Sequence, residues 1–120
     1  MSGAVLACIA TKTTPLTVTL SAGASQGTFG NNISTKDFGN NSASVSGGSG
    51  SYSYAWTQSP DANGSWTLGS PSAGVTDVRV GSVAVGLTTH NTVTCTVTDN
   101  ATGRKGSAST AYTYTNLSIF

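Results

Sequence analysis

Apolar and polar residues alternate over several short stretches of this chain. Between positions 16 and 20 every second residue is Leu or Val and the residues between them are Thr, and Val93, Cys95 and Val97 alternate with Thr in the same way. A period of two places successive side chains on opposite faces of a β-strand, so one face of each stretch is expected to be buried and the other to face water. The pattern therefore predicts half-buried strands.

The same reading predicts a series of short strands separated by residues that favour turns. The predicted strands centre on 16–20, 42–46, 52–56, 66–68, 78–87, 93–97 and 108–114. Asn63 and Gly64 predict a two-residue hairpin turn, and Gly81 predicts a break within 78–87. The stretch 22–41 has isolated Phe29, Ile33 and Phe38 among small polar residues, and we predict a long connection that its aromatics hold to the edge of the fold.

Composition supports an all-β protein and limits its function. The 120 residues include 38 Ser or Thr and 15 Gly, while residues that favour helices are scarce. With five Lys or Arg, four Asp, no Glu and a net charge of +1, the chain has no basic stripe for a nucleic acid. It also lacks an apolar run long enough to span a membrane, so neither nucleic acid nor membrane is an expected partner. We predict one domain, residues 15–120, preceded by an N-terminal arm, residues 1–14.

Two longer motifs carry a resemblance to a known family. The first is GGSGSYSYAWTQ at 47–58, and the second is TVTCTVTDNATG at 92–103. Tyr54 and Trp56 in the first, and the run from Val97 to Asp99 in the second, resemble motifs of PKD-like and other bacterial immunoglobulin-like domains. The resemblance covers residues 15–114 and implies an all-β, immunoglobulin-like (PKD-like) β-sandwich of about seven strands. It specifies a fold far more than an activity.

The resemblance also indicates a core and bears on the cysteines. The expected core residues are Trp56, Tyr54, Cys95, Val93 and Val97. Cys95 stands where an antibody-type domain has the second cysteine of its core bridge, but 42–46, the predicted strand that would supply the first, has no cysteine. Cys8 lies before the first predicted strand instead. We therefore expect two reduced thiols, with a disulfide between them left open.

The start of the chain is a poor export signal, because no basic residue precedes the short apolar stretch that ends near Cys8. A lone immunoglobulin-like domain without such a signal resembles the accessory proteins of tailed-bacteriophage virions, which are made in the host cytoplasm. The resemblance thus implies a structural virion protein present in multiple copies. Its partners would be viral structural proteins, the major capsid protein or tail proteins.

Within that class the first hypothesis is a capsid decoration or cement protein that binds assembled major capsid subunits and stabilises the shell. A phage tail or fibre subunit is the second hypothesis. A carbohydrate-binding or adhesin module that binds cell-surface glycans is an alternative from a different class.

Both ends of the chain are apolar and are predicted to dock on a partner. The candidate docking residues are Val5, Leu6, Ile9, Leu117, Ile119 and Phe120. Such side chains gain by burial against a neighbouring subunit, or they complete the edge strands of the domain itself, and the sequence leaves both alternatives open. Because the chain is weakly charged, attachment is expected to survive high salt.

Three further features are candidates for other chemistry. Asp61, Asp99 and Asn100 could bind calcium, but the capping of turns by Asp and Asn accounts for them more simply. Trp66 is either a surface platform for a sugar ring or a residue packed on a neighbouring strand. His90 is the only histidine, and no Gly-x-Ser-x-Gly motif or metal-ligand cluster surrounds it, so we expect no enzyme, no cofactor and no metal.

Overall fold

The computed structural model describes residues 16–117, and these residues form β-strands and no helix. The strands are β1 Thr17–Leu20, β2 Ser25–Asn31, β3 Lys36–Ser46, β4 Tyr52–Pro60, β5 Ser65–Leu68, β6 Val75–Gly81, β7 Thr88–Asp99 and β8 Lys105–Leu117. The all-β prediction is confirmed, with eight strands in the described residues against about seven expected. The predicted arm, 1–14, lies outside these residues. Nothing in 16–117 is a helix that could cross a membrane.

The strands form two four-stranded sheets. One sheet has the order β1-β3-β6-β5 and the other has the order β2-β8-β7-β4. Neighbouring strands pair antiparallel except β2, which runs parallel to β8. Buried residues of both sheets, among them Val80 of β6 and Tyr114 of β8, belong to one core cluster. The sheets are therefore packed on each other in a sandwich-like arrangement.

The expected core residues lie in or against this cluster. Val93, Cys95 and Val97 of β7 are 0% exposed and Trp56 of β4 is 4% exposed. The indole of Trp56 donates a hydrogen bond from Nε1 to a backbone carbonyl in the loop between β5 and β6 at 2.6 Å, which satisfies its one polar side-chain atom. Tyr54 is half-buried and packs against the cluster. Cys95 is a free thiol, and burial raises its pKa.

The predicted long connection from 22 to 41 is wrong. Residues 22–41 contain β2 and the first half of β3. Their side chains show no apolar period, and backbone hydrogen bonds to β8 and β6 hold these strands in place. Phe38 packs inward, with ring centroids 5.8 Å from Trp66 and 4.9 Å from Tyr112. Phe29 is exposed instead of being packed at an edge, and Ile33 is exposed as well.

Two other predictions need correction. Asn63 and Gly64 lie in the turn between β4 and β5, but these strands belong to different sheets, so the turn crosses between the sheets and closes no hairpin. β6 ends at Gly81, and the rest of the predicted 78–87 stretch is the loop to β7. Apolar residues continue past the end of β6 because the loop also contributes to the core. Val83 enters the core from this loop and is 1% exposed.

A buried amide links the two sheets. Asn41 of β3 is 0% exposed. Its Nδ2 donates to Thr110 Oγ1 at 3.1 Å and to the hydroxyl of Tyr112 at 2.9 Å, and its Oδ1 accepts from the N–H of Ala22 at 3.2 Å. Since β3 and β8 lie in opposite sheets, these bonds are a polar tie across the core.

Candidate docking surface

The two ends of the packed sheets differ in character. We call one end the tip. β8 ends there at Leu117 and β7 begins there at Thr88. Three loops, 32–35, 61–64 and 82–87, also lie at the tip. The described chain exposes five large apolar residues, and four of them lie at the tip or beside it. These four are Phe29, Ile33, Val85 and Leu87, with exposures of 68, 53, 50 and 39%. The fifth, Val75, is 43% exposed and lies at the start of β6, opposite Ser42 of β3 and away from the tip.

We call Ile33, Val85 and Leu87 the tip patch. A backbone hydrogen bond from Val83 N to Ser34 O, at 3.1 Å, joins the two loops that carry these side chains. Neither loop contains a charged residue. Exposed apolar side chains that gather on one surface mark an interaction site, whereas single scattered ones need no explanation.

Backbone strain is concentrated in the same two loops. Asn32 and Ser82 are the two described residues other than Gly with positive φ, at 59° and 58°, and one lies in each loop. Left-handed backbone at such residues costs free energy and is often retained at functional sites. Asn116 holds the second loop, because its Nδ2 donates to Val83 O at 2.7 Å and its own carbonyl accepts from Gly86 N at 2.6 Å. The loop thus presents its apolar side chains from a fixed backbone.

A second apolar feature adjoins β2, an edge strand of its sheet. Phe29 stands on the outer face beside Thr115 and Leu117 of β8, and with Gly27 and Thr28 they line an open depression of about 370 Å³. We call this depression and the adjoining edge of β2 the edge groove. Residues 25–31, SQGTFGN, carry no charge and no Pro, which are the usual protections of an edge strand.

The predicted docking residues fall mostly outside the described chain. Leu117 is half-buried, ends β8 and borders the edge groove. The other predicted docking residues, Val5, Leu6, Ile9, Ile119 and Phe120, lie outside residues 16–117.

Sequence reasoning missed the four exposed residues of the tip and the groove. It assigned Phe29 to packing at an edge, Ile33 to a long connection, and Val85 and Leu87 to a strand. One local signal could have found them, because each stands directly beside Gly or Asn, where a turn takes a side chain out of the strand alternation.

The opposite end is polar and closes around Asp99, which ends β7. Its carboxylate accepts hydrogen bonds from Ser49 N at 2.9 Å, Ser49 Oγ at 2.5 Å, Ala101 N at 3.0 Å and Thr102 Oγ1 at 3.1 Å. These hydrogen bonds lower the pKa of Asp99, and the bond from the Ser49 hydroxyl contributes most. Burial acts in the opposite direction but is outweighed. Asp99 therefore joins the Gly-rich loop before β4 to the turn after β7.

The two acidic groups considered for calcium are far apart. Asp99 pairs with Tyr52 at the start of β4, whereas Asp61 follows Pro60 at its end. The length of β4, about 27 Å, therefore separates the two carboxylates. They cannot share one cation, and the described part of the chain holds no group of three or more His, Cys, Asp or Glu that could bind a metal. Both carboxylates cap turns, as the simpler alternative expected.

His90 and Asp61 form a pair beside the tip, with Nδ1 and Oδ2 3.3 Å apart. The same carboxylate accepts from His90 N at 2.7 Å, Thr89 Oγ1 at 2.6 Å and Asn63 N at 3.0 Å. Burial raises the pKa of Asp61, but these hydrogen bonds outweigh it and bring the pKa to about 2. The carboxylate is thus occupied in fixing the β4–β5 turn to β7.

Trp66 is a core residue. It is 6% exposed, stacks on Phe38 and donates from Nε1 to Thr89 Oγ1 at 2.9 Å. The interpretation of Trp66 as a surface platform for a sugar ring is therefore wrong, since no ring could reach its face.

A second depression, of about 590 Å³, lies on the outer face of β3, β5 and β6. It is lined by hydroxyl groups and by Arg79, whose Nε lies 3.3 Å from Asp37 and 3.2 Å from Asp77. The guanidinium is therefore neutralised locally by two carboxylates.

Comparisons of the chain with family models, with curated proteins and with solved structures find no match.

Proposed function

We propose that this chain is a structural protein that docks onto a larger assembly through its tip. The proposed assembly is the virion of a tailed bacteriophage, with the chain as a decoration or cement protein on assembled major capsid subunits. The observation that carries the docking proposal is the tip patch: exposed apolar side chains on two uncharged loops whose backbones are strained and tied together. The virion is the setting that the sequence resemblance favours.

An immunoglobulin-like (PKD-like) sandwich is part of this proposal, and strand order supports it. In an immunoglobulin constant-type domain one sheet has the order A-B-E-D and the other contains C, F and G. The order β1-β3-β6-β5 matches the first, and β4, β7 and β8 take the places of C, F and G. β2 is then an additional strand on the outer side of G. Asp99 belongs to the motif at 92–103 that carries the family resemblance. Its role in holding the loop before β4 is consistent with this fold.

Docking through the tip stabilises a shell by mass action, because the contacts exist only in the assembled state. Complete burial of a fully exposed Val, Leu or Ile side chain contributes about 1.5–3 kcal/mol, and the three residues of the tip patch are about half exposed, so each would contribute roughly half of that. Since neither tip loop is charged, the attachment depends on apolar burial and is insensitive to salt.

Binding to shells assembled without this protein tests the proposal. The wild-type chain should sediment with the shells at a fixed copy number, raise their melting temperature, and stay bound in about 1 M NaCl. Val85→Asp should weaken binding by roughly tenfold or more, because a buried apolar contact is replaced by a carboxylate. Val75→Asp is the matched control, since Val75 is comparably exposed and lies about 20 Å from the tip along β6. Equal loss in both variants, or release by salt alone, would contradict docking through the tip.

The alternatives separate by simple measurements. A copy number that matches the tail rather than the shell would indicate a tail or fibre subunit. A carbohydrate-binding or adhesin role is favoured by one observation, the hydroxyl-lined depression beside Arg79. In that case Arg79→Ala would abolish glycan binding and Val85→Asp would leave it unchanged.

A further inference from the structure

We propose that Asn63 is a site of spontaneous modification, where the side-chain amide is lost by cyclisation onto the backbone nitrogen of Gly64 and a carboxylate takes its place. The site lies at the tip, in the turn between β4 and β5. The modification itself is independent of the proposed function. Its consequence, weaker docking through the tip, rests on that function.

The chemistry requires Asn followed by a residue that leaves its own nitrogen uncrowded. Gly has no β-carbon, and Asn63 with Gly64 is the one Asn–Gly pair among the 120 residues. The Gly64 nitrogen loses its proton and bonds to Cγ of Asn63. The bond between Cγ and Nδ2 breaks, and ammonia leaves after Nδ2 takes up a proton. Water then opens the succinimide ring, which yields Asp at position 63 or the isomer whose main chain runs through Cγ.

The fold leaves both reacting groups accessible. Asn63 is exposed. In the part of the chain that the structure describes, no close backbone hydrogen bond holds the N–H of Gly64. Nδ2 of Asn63 donates to Thr88 O at 3.0 Å, but this bond is itself exposed to water. It therefore restrains the amide without shielding it.

Packing explains why Gly follows Asn63. A β-carbon placed on Gly64 would lie 2.8 Å from Cγ2 of Val80 and 3.1 Å from Cγ2 and Oγ1 of Thr89. Val80 is 2% exposed and Thr89 is 0% exposed, so a larger residue at position 64 would overpack the core. The fold thus requires Gly at the position that makes Asn63 reactive.

Conversion of Asn63 would place a negative charge at the tip. A carboxylate at this position cannot donate to Thr88 O, and it lies two residues from Asp61, whose Oδ1 accepts from the N–H of residue 63 at 3.0 Å. One added negative charge takes the formal net charge from +1 to 0. Thr88 directly follows Leu87 of the tip patch, whose two loops carry no charge. Burying an unpaired carboxylate in a contact is unfavourable, so converted copies should dock more weakly.

Peptide mapping by mass spectrometry tests the modification. The folded full chain is incubated at mildly alkaline pH, which favours loss of the Gly64 proton. Asn63 should convert to Asp and its isomer, and unfolding in urea should accelerate the conversion because it releases the bond to Thr88. Asn100 is the internal control and should stay largely intact, since it is exposed in a turn but is followed by Ala.

Asn63→Gln provides a second control, because its longer side chain would have to close a larger and less favourable ring. Ion-exchange chromatography should separate an acidic form of the wild type and none of this variant. The proposal would be overturned if Asn63 stayed intact in the folded protein or if Asn100 converted at the same rate. An acidic form that accumulated equally in Asn63→Gln would also overturn it.

Shell binding by freshly prepared variants tests the consequence for docking. Asn63→Asp and Asn63→Ala both lose the bond to Thr88, but only the first adds a charge. Asn63→Asp should bind roughly tenfold more weakly than Asn63→Ala, while circular dichroism verifies that both are folded. Equal binding by the two variants would refute the effect of the charge. A wild type that does not bind shells would refute docking through the tip, whereas peptide mapping would still decide the modification, so the two failures are distinguishable.

Discussion

The Asn41→Ala substitution removes the amide that ties the two sheets together. It takes away the hydrogen-bond partner of the Tyr112 hydroxyl, which lies in a residue only 2% exposed, and the partner of the Ala22 N–H, which is half-buried. Thr110 also loses a bond, but its hydroxyl still donates to a backbone carbonyl at 2.7 Å. Two groups are therefore left without a partner, one of them in the core.

The expected loss follows from the cost of such groups. A buried donor or acceptor left unpaired costs about 1–3 kcal/mol, and Tyr112 carries the full cost while the Ala22 N–H regains some contact with water. We expect Asn41→Ala to lower the free energy of unfolding by about 2–5 kcal/mol, a large share of the roughly 5–15 kcal/mol typical of a domain.

Urea unfolding followed by tryptophan fluorescence measures this loss. Asn40→Ala is the matched control, because Asn40 is the neighbouring residue of β3 and is exposed. The control should change the free energy of unfolding by less than about 0.5 kcal/mol. If Asn41→Ala lost less than about 1 kcal/mol, or no more than the control, the polar tie across the core would be refuted.

Three further predictions concern pH and the core. Burial raises the pKa of Tyr112 and Tyr114, so above the ordinary value of 10.0 the unfolded chain loses protons that the folded chain keeps. The free energy of unfolding should therefore fall as pH rises above 10.0. A flat profile in urea titrations at alkaline pH would contradict this. Because the pKa of Asp99 is lowered, the stability that its ionised form contributes above the ordinary value of 3.8 is lost as pH falls below that value. Asp99→Asn should therefore reduce the fall in the free energy of unfolding at acid pH. An unchanged fall would assign it to other carboxylates. Trp66→Ala should lower the free energy of unfolding by about 3–5 kcal/mol in urea, and a loss near zero would place the indole outside the core.

The strands that the sequence predicts best are those whose own side chains form a core face. Apolar residues alternate with Thr at 93–97 of β7 and at 112–115 of β8, and Trp56 marks the inner face of β4, so period and residue type agree there. β2 could not be predicted in this way, because it is held by backbone pairing with a strand more than eighty positions away and has no apolar period. Its place depends on where β8 lies, which no local pattern contains.

The docking surface was hidden for a related reason. Val85 and Leu87 repeat the apolar alternation of β6 one residue out of phase, and left-handed turns at Ser82 and Gly86, with φ of 58° and 88°, lie where the chain has left the sheet. The pairing of Asp61 with His90 likewise joins residues twenty-nine positions apart and depends on the packing of the sheets. Period and composition predict which faces are buried, whereas the gathering of exposed residues at one end depends on the complete fold.

Hydrogen exchange, measured segment by segment on the free protein and on the protein bound to shells, tests docking through the tip most directly. The tip loops 32–35 and 82–87 should exchange more slowly in the bound protein, because docking removes them from water. The Gly-rich loop 47–50 and the turn 100–103 at the opposite end should exchange at the same rate in both. Slower exchange confined to that opposite end, with the tip loops unchanged, would contradict the account.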